Sequence, residues 1–266
     1  EIKIYWGDEP IGRLKKGLNI FSPKAESLTS EFLESNKRLL IANKLQEWLD
    51  EKILNNLKPI SEPIDNTISS ELRAVIFNLF NNLGSMLTAN YSDTVKNLNE
   101  HDRAIISKSG IRIGAKFFFM PSLLKKYPME LNALLWNAFY GSKFDKIYPL
   151  PENGRVSFES KIDMPDTYWL AIGYKYLDNF VVRIDVFERI FYLARQKSKY
   201  GPFLESSDLM NPIGCNSDQL EKILSFCGFG STILNDDKKL FFVKLKNPLN
   251  LKKIVSIDNK KTFNIK

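Results

Sequence analysis

Apolar residues recur near helical spacing from residue 30 to residue 57, with lysines and glutamates between them. A pattern with this period predicts one long amphipathic helix, which must bury one face against other parts of the chain. Ser30 is its predicted N-cap. The apolar positions of the pattern are Phe32, Leu39, Leu40, Leu45, Trp48, Leu49 and Leu57.

More helices follow the two prolines of "KPISEPIDN". A second helix is predicted over "SSELRAVIFNLFNNLG", with Ser69 or Ser70 as N-cap and Gly84 at its end. A third is predicted from about residue 92 to 108, and a fourth over "PMELNALLWNAFYG", ending at Gly141. Pro121 is predicted to start a separate helical turn. These segments are typical of the core helices of a bundle.

The β signals are short. "IKIYW" and "IGRLKKG" flank the turn-like "GDEP" and predict a hairpin over residues 1 to 21. Ile111, Ile113, Phe117 and Phe119 alternate and predict one strand, with Gly114 as a bulge.

The last third of the chain has a different order of elements. A short helix ending at Gly173 and a strand-to-helix segment, "NFVVRIDVFERIFYLARQKSK", come first. "ESSDLMNPIG" predicts a brief helix, and "NSDQLEKILSFCGF" predicts another with Asn216 as N-cap, Gln219 in a capping box and Gly228 at its end. "STILNDDKKLFFVKLK" then predicts a hairpin that turns at Asn-Asp-Asp. This order is typical of a winged helix.

The predicted fold class is therefore mainly α with short β elements (α+β). We divide the chain into a β-hairpin element at 1–25, a helical domain with a short strand at 26–145, a winged-helix-like domain at 146–247 and a basic tail at 248–266. The chain opens on "EIKIYWGDEP", without an initiator Met or a leader, so we expect it to be part of a longer polypeptide.

Composition narrows the function. The 266 residues include 44% hydrophobic ones, enough for a core, and no apolar run approaches the ~20 residues that span a bilayer. The formal charge of +7 favours a polyanionic partner. Two cysteines and one histidine predict a reducing, cytoplasmic location and no metal site.

Motifs for self-contained catalysis are absent from the sequence. There is no phosphate-binding G-x-x-x-x-G-K-[ST] loop, no G-x-G-x-x-G, no zinc-spaced Cys/His cluster and no nucleophile elbow. His101 lies in a polar helix start and is interpreted as solvated or capping. The charges of "RIDVFER" are interpreted as surface pairs at helical spacing. We therefore predict no catalytic residue.

Basic residues define the candidate contacts. Arg112, Lys116, Lys125 and Lys126 surround the run Phe117–Phe119, a mixture that suits single-stranded nucleic acid. At least one of those rings must be core, since neighbours on a strand alternate faces. Lys238 and Lys239 lie on the predicted wing, and the lysines of the tail are candidates for weak, salt-dependent contact.

The helix predicted over "NSDQLEKILSFCGF" would be the recognition helix of a winged helix, but it begins with acidic residues. Asp218 and Glu221 stand in its first turns, where acidic groups repel phosphate, so groove reading by this helix is not expected.

Several segments, in this order, carry a resemblance. They are "WGDEPIGRLKKG", "SGIRIGAKFFFMPSLLK", "GRVSF", "YWLAIGYKYLDNFVVRIDVFERI", "GPF" and "IGCNSDQLEKILSFCGF". Together they resemble the C-terminal region of helicase-like proteins common in alphaproteobacteria, which are similar to mitochondrial degradosome RNA helicases of superfamily 2. The resemblance covers nearly the whole chain to about residue 230.

The resemblance implies a parent enzyme that hydrolyses ATP with Mg and remodels RNA or DNA, with its motor domains upstream of this chain. It implies that this region helps to guide or clamp the strand. Arg112, Lys125, Arg183 and Arg189 match motif positions and are candidates for nucleic-acid or interdomain contacts. The family's Arg-rich tail is here short and Lys-based.

The sequence is compatible with three functions. The first is the accessory region of an ATP-dependent helicase-like protein that binds single-stranded RNA or DNA. The second is a protein-interaction scaffold without direct nucleic-acid contact. The third is a stand-alone winged-helix regulator, which the acidic helix start and the lack of a dimerisation heptad disfavour. Cys215 and Cys227 flank a helix ~18 Å long, too far apart for a disulfide.

Overall fold

The computed structural model describes residues 2–28, 34–58, 67–144, 146–152, 154–234 and 238–244. Helices dominate, and the strands form small antiparallel sheets, so the predicted α+β class is confirmed. The chain divides into two compact units, Glu1–Arg189 (unit 1) and Ile190–Lys266 (unit 2). The predicted domain boundaries stay predictions.

The α-helices of the described residues are numbered in chain order. They are α1 Ser35–Asn56, α2 Ser70–Asn81, α3 Ser92–Asn97, α4 Glu100–Lys108, α5 Lys126–Phe144, α6 Asp166–Ala171, α7 Ile184–Ser198, α8 Ser207–Met210 and α9 Ser217–Cys227. Two short 3-10 helices are η1 Thr88–Tyr91 and η2 Pro121–Leu124. The latter confirms the helical turn predicted at Pro121.

The strands are numbered in the same way. They are β1 Ile2–Trp6, β2 Glu9–Lys15, β3 Lys24–Ser27, β4 Ser85–Leu87, β5 Arg112–Ile113, β6 Phe117–Phe119, β7 Ser157–Glu159, β8 Tyr174–Leu177, β9 Phe180–Arg183, β10 Phe203–Leu204, β11 Phe229–Ile233 and β12 Lys239–Val243. They form sheets with the orders β1-β2-β3, β4-β6-β5, β7-β9-β8 and β10-β12-β11.

The N-terminal hairpin is confirmed, and β3 extends it to three strands. Helix α1 packs against this sheet through Leu45, Leu49 and Ile53, which are buried. Other positions of the predicted apolar stripe are not buried: Leu39, Leu40 and Trp48 are 62%, 63% and 47% exposed. The predicted N-cap Ser30, the position Phe32 and most of "KPISEPIDN" lie outside the described residues.

Three predicted elements differ from the structure. The single helix predicted over 92–108 is two helices, because Leu98 is extended and the Asn99 side chain caps α4 by accepting from the Asp102 N–H. The single strand predicted over 111–119 is a β5–β6 hairpin that turns at Gly114. Helix α5 continues past its predicted end at Gly141, since an interior glycine costs a helix only about 1 kcal/mol.

An aromatic cluster holds the centre of unit 1. The indole of Trp136 on α5 lies with its ring centroid 5.1 to 5.7 Å from those of four rings, Tyr140, Phe144, Tyr148 and Tyr168. The Tyr168 hydroxyl on α6 donates to the carbonyls of Tyr148 and Pro149. The Asn137 side chain accepts from the Tyr148 N–H and donates to its carbonyl. The irregular segment 146–150 is thereby tied to both helices.

Unit 2 consists of the end of α7, then β10, α8, α9 and the β11–β12 hairpin. The predicted capping box of α9 is present between Asn216 and Gln219, and Gly228 ends the helix in the left-handed region at φ 96°. Leu220, Ile223 and Leu224 are fully buried. The hairpin is confirmed, although its predicted Asn-Asp-Asp turn lies outside the described residues. The winged-helix assignment stays a prediction.

Asn216→Ala is expected to lower the free energy of unfolding by about 1 kcal/mol, because it removes the N-cap acceptor and one half of the capping box. Urea unfolding followed by circular dichroism measures this. Asn216→Ser keeps a capping oxygen and serves as the control. Equal stability of the two variants would contradict the assigned role of the cap.

Candidate nucleic-acid interface

Three of the basic residues that the sequence predicts as contacts line one cavity. Lys125, Lys126 and Arg183 surround a space of about 380 Å³ in unit 1, which we call the basic pocket. The rest of its lining is Pro121, Leu124, Met129, Gly154, Tyr174 and Asp185. Residues that lie nearly sixty positions apart in sequence therefore meet at one site.

Two helices begin at this pocket. Lys126 is the first residue of α5 and follows η2, while Arg183 ends β9 directly before α7 begins at Ile184. The first N–H groups of a helix lack intrahelical partners, and the helix dipole places partial positive charge there. At the start of α7 the Ile184 N–H donates to the Gly173 carbonyl and the Val186 N–H to Asp185 Oδ1, so the start of α5 is the helix end that adds to the charge of the pocket.

One carboxylate opposes the three cations of the pocket. Asp185 accepts from Arg183 through two hydrogen bonds, Nε to Oδ1 at 2.7 Å and Nη2 to Oδ2 at 3.0 Å. These bonds raise the pKa of Arg183 and fix its guanidinium at the wall. Lys125 and Lys126 are exposed, and neither forms an ion pair with a described residue. The pocket therefore keeps uncompensated positive charge.

Tyr174 supplies a rigid wall. Its side chain is 1% exposed, and its hydroxyl donates to the Arg155 carbonyl at 2.6 Å. Burial raises the pKa of this phenol, which stays protonated and keeps donating at neutral pH. The bond holds the segment that carries Gly154 against the pocket. Composition and spacing gave no signal for Tyr174 or Gly154.

The other predicted contacts of unit 1 lie around a hairpin loop. Arg112 is exposed on β5, Lys116 is half-buried in the loop, and Arg189 is exposed next to Glu188. The carboxylate of Glu188 on α7 accepts from three backbone N–H groups of this loop. The surface pairs predicted for "RIDVFER" are therefore wrong: Arg183 binds Asp185 two residues on, and Glu188 binds backbone.

The run Phe117–Phe119 is entirely core. Its three side chains are 0%, 2% and 7% exposed, and the Phe117 ring meets that of Phe187 edge-on at 5.2 Å. Stacking of bases on these rings is excluded because no face reaches the surface. The alternating sequence pattern did not predict this burial. Other parts of the chain cover both faces of β6, so each of the three rings is buried whichever face it lies on.

In unit 2 the two lysines predicted on the wing differ in their exposure to solvent. Lys238 is exposed, whereas Lys239 is 9% exposed and its ammonium lies 2.5 Å from both Asp218 Oδ1 and Glu221 Oε2. These carboxylates raise the pKa of Lys239 against the opposing effect of burial. The acidic start of α9 thus binds a lysine of the hairpin, and we leave Lys239 out of the proposed surface.

Lys239→Met is expected to lower the free energy of unfolding at pH 7 by about 1 kcal/mol. This contribution is closer to that of an exposed ion pair than to that of a buried one, because water reaches the two carboxylates. Hydrogen bonds from Lys239 and Ser231 lower the pKa of Glu221 from its ordinary 4.5. A carboxyl group whose pKa is lower in the folded than in the unfolded state stabilises the fold above pH 4.5. This stabilisation is lost as the pH falls through the pKa of the folded state. The difference between wild type and variant should therefore shrink below pH 4.5 in urea titrations; a gap independent of pH would contradict this.

A second surface, the aromatic groove, was not expected from the sequence. A cavity of about 620 Å³ lies between β1, α1 and α5, and an adjoining cavity of about 330 Å³ lies between the β1–β2 hairpin and α1. Both are lined by Ile4, Tyr5 and Trp48, and the ends are marked by Trp6, 80% exposed, and Tyr127, 67% exposed. Such an exposed apolar surface marks interaction sites in soluble proteins.

The cysteines and the histidine show no catalytic arrangement. Cys215 and Cys227 are not joined by a disulfide, and burial raises the pKa of Cys215 to about 11, which keeps it protonated at neutral pH. His101 lies 2.9 Å from the Thr67 hydroxyl. The described part of the chain contains no His/Cys/Asp/Glu group able to hold a metal ion, and none of its helices is long and apolar enough to cross a bilayer.

Comparison of the chain with protein-family models, with curated proteins and with solved structures found no match. The helicase resemblance therefore stays a prediction.

Proposed function

We propose that this chain is an accessory region of an ATP-dependent RNA or DNA helicase-like protein and acts in the cytoplasm. In this proposal the motor domains, with their ATP and Mg, belong to the rest of the parent protein, and this region holds the single strand. The observation that carries the proposal is the convergence of Lys125, Lys126 and Arg183 on one pocket.

The chemistry of the pocket supports a phosphate ligand. Lysine ammoniums and helix N-termini attract phosphate without reading sequence, as a clamp on a moving strand requires. Asp185 orients the Arg183 guanidinium through two hydrogen bonds and offsets its charge, so Lys125 and Lys126 supply the charge that is open to a phosphate. Because the rings of Phe117–Phe119 are buried, bases do not stack on them. Positive charge is then the main source of affinity for a single strand.

The double variant Lys125→Ala/Lys126→Ala is expected to weaken binding of a fluorescein-labelled single-stranded RNA at least tenfold, because each charge-assisted contact is worth roughly 1.5 kcal/mol. The slope of log affinity against log salt should become shallower by about 1.4, since each phosphate contact on a single strand contributes about 0.7. Fluorescence anisotropy at several salt concentrations measures both quantities.

The matched control is Lys146→Ala/Lys161→Ala. It removes the same charge from two exposed lysines of unit 1 that do not line the pocket. Its affinity and salt slope should stay close to those of wild type. Equal losses in both double variants would reduce the effect to net charge and overturn the pocket assignment.

We also keep the protein-interaction scaffold as a second candidate, because of the aromatic groove. Two helices and one strand form its walls: α1 contributes Leu45, Trp48 and Leu49, α5 contributes Leu131 and Leu134, and β1 contributes Ile4 and Tyr5. A groove between two helices suits the apolar face of an amphipathic helix from a partner protein. Its few charged liners are Lys44, Lys52 and Glu130, which do not make a phosphate track.

Trp6→Ala/Tyr127→Ala is expected to leave the affinity for single-stranded RNA within about twofold, because the groove serves another ligand. Stacking on a base is worth about 1–3 kcal/mol, so a stacking role would cost tenfold or more. The same anisotropy titration decides. A tenfold loss would move the groove to the nucleic-acid surface and remove the support for a scaffold.

A further inference from the structure

Glu188 occupies its loop as an oxyanion ligand would. Its Oε2 accepts from the Ala115 N–H at 3.0 Å, and its Oε1 accepts from the N–H groups of Lys116 and Phe117 at 2.6 and 2.7 Å. Consecutive backbone N–H groups that converge on one anion form the concave arrangement that also binds phosphate in proteins. We call residues 114–117 the oxyanion loop.

The loop is organised by contacts that do not involve Glu188. Thr88, which is 7% exposed, donates its hydroxyl to the Gly114 carbonyl at 3.2 Å and its N–H to the Lys116 carbonyl at 2.8 Å. The Gly114 N–H donates to the Phe117 carbonyl at 2.8 Å. Because these bonds fix the carbonyls, the other N–H groups remain directed at the anion position when the carboxylate leaves.

Gly114 provides the space for the anion. A Cβ added there would lie 2.4 Å from both Cδ and Oε1 of Glu188, closer than real Cβ atoms approach. Only glycine therefore allows a tetrahedral or planar oxyanion to reach the N–H groups.

Basic residues are close to this loop in the chain. Arg112 and Lys116 belong to the same hairpin, and Arg189 follows Glu188 in sequence. The nearby Asp185 is already engaged by Arg183. A glutamate side chain has three rotatable bonds, so the carboxylate can turn toward water without movement of α7. The vacated position would then present three backbone N–H donors.

We propose that the oxyanion loop is a second phosphate site for single-stranded nucleic acid, and that Glu188 fills it as an internal competitor until a phosphate displaces the carboxylate. This rests on the proposed function for the source of the phosphate. From Ile184, beside the basic pocket, to Glu188 the helix rises about 6 Å. That distance corresponds to about two nucleotides of a stacked strand at 3.4 Å each.

The first experiment uses the full chain and inorganic phosphate, without nucleic acid. In Glu188→Ala, phosphate should shift the backbone amide signals of residues 115–117 in a saturable way and raise the melting temperature by roughly 3 °C. Sodium chloride at equal ionic strength should do neither, and wild type should respond to phosphate less. Equal responses of wild type and variant, or no shift at these amides, would overturn the site.

Glu188→Gln is the second variant, used in case Glu188→Ala does not fold. Its amide oxygen still accepts hydrogen bonds from the loop, while the negative charge is removed. For both variants the affinity for single-stranded RNA should rise about fivefold, because the competitor is weaker or absent. Glu71→Gln removes the same charge from an exposed position on α2 and should change the affinity less than twofold. An unchanged affinity of both Glu188 variants would overturn nucleic acid as the source of the phosphate.

The two proposals can fail separately. The phosphate experiment involves no nucleic acid, so it tests the oxyanion loop even if RNA does not bind. Loss of the difference between the Lys125/Lys126 variant and its control would overturn the basic pocket and leave the phosphate response of Glu188→Ala unaffected.

Discussion

The aromatic cluster around Trp136 is the constraint on which unit 1 depends. It joins α5, the irregular segment 146–150 and α6 through stacked rings and through the hydrogen bonds of Asn137 and Tyr168. An irregular segment cannot satisfy its own backbone, so buried side chains must do so. Because α5 and α6 are fixed in this way, the start of α5 and the strands that follow α6 meet at one place.

The basic pocket is a consequence of that arrangement. Lys126 lies at one end of α5, and the cluster lies further along the same helix. Tyr174 and Arg183 belong to β8 and β9, which pair with each other directly after α6. The charges are therefore held by elements whose positions the core determines, and surface loops play a smaller part. A site on such elements keeps its geometry when a ligand binds.

Anions internal to the chain occupy several basic groups. Asp185 holds Arg183, Asp218 and Glu221 hold Lys239, and Glu188 fills the oxyanion loop. These pairs lower the positive charge that the formal count of +7 leaves open to solvent. Lys125 and Lys126 differ because they are exposed and form no ion pair with a described residue.

Local signals predicted local structure well. The Asn216 capping box, the N-cap Ser69 and the hairpins at both ends of the described chain are confirmed, because caps and turns depend on residues within a few positions of each other. The break at Asn99 and the hairpin at Gly114 were missed. In the second case the residue that holds the turn is Thr88, 26 positions before Gly114, which no local pattern includes.

The sequence by itself determined the α+β class, most helices and the identity of the basic candidates, since periodicity, caps and charge are local properties. Only the tertiary structure decided which candidates lie together. It brought Lys125, Lys126 and Arg183 to one cavity, buried Lys239 and Phe117–Phe119, and exposed Trp6 beside an apolar groove. The physical reason is that burial and pairing depend on contacts between distant segments, which no local pattern specifies.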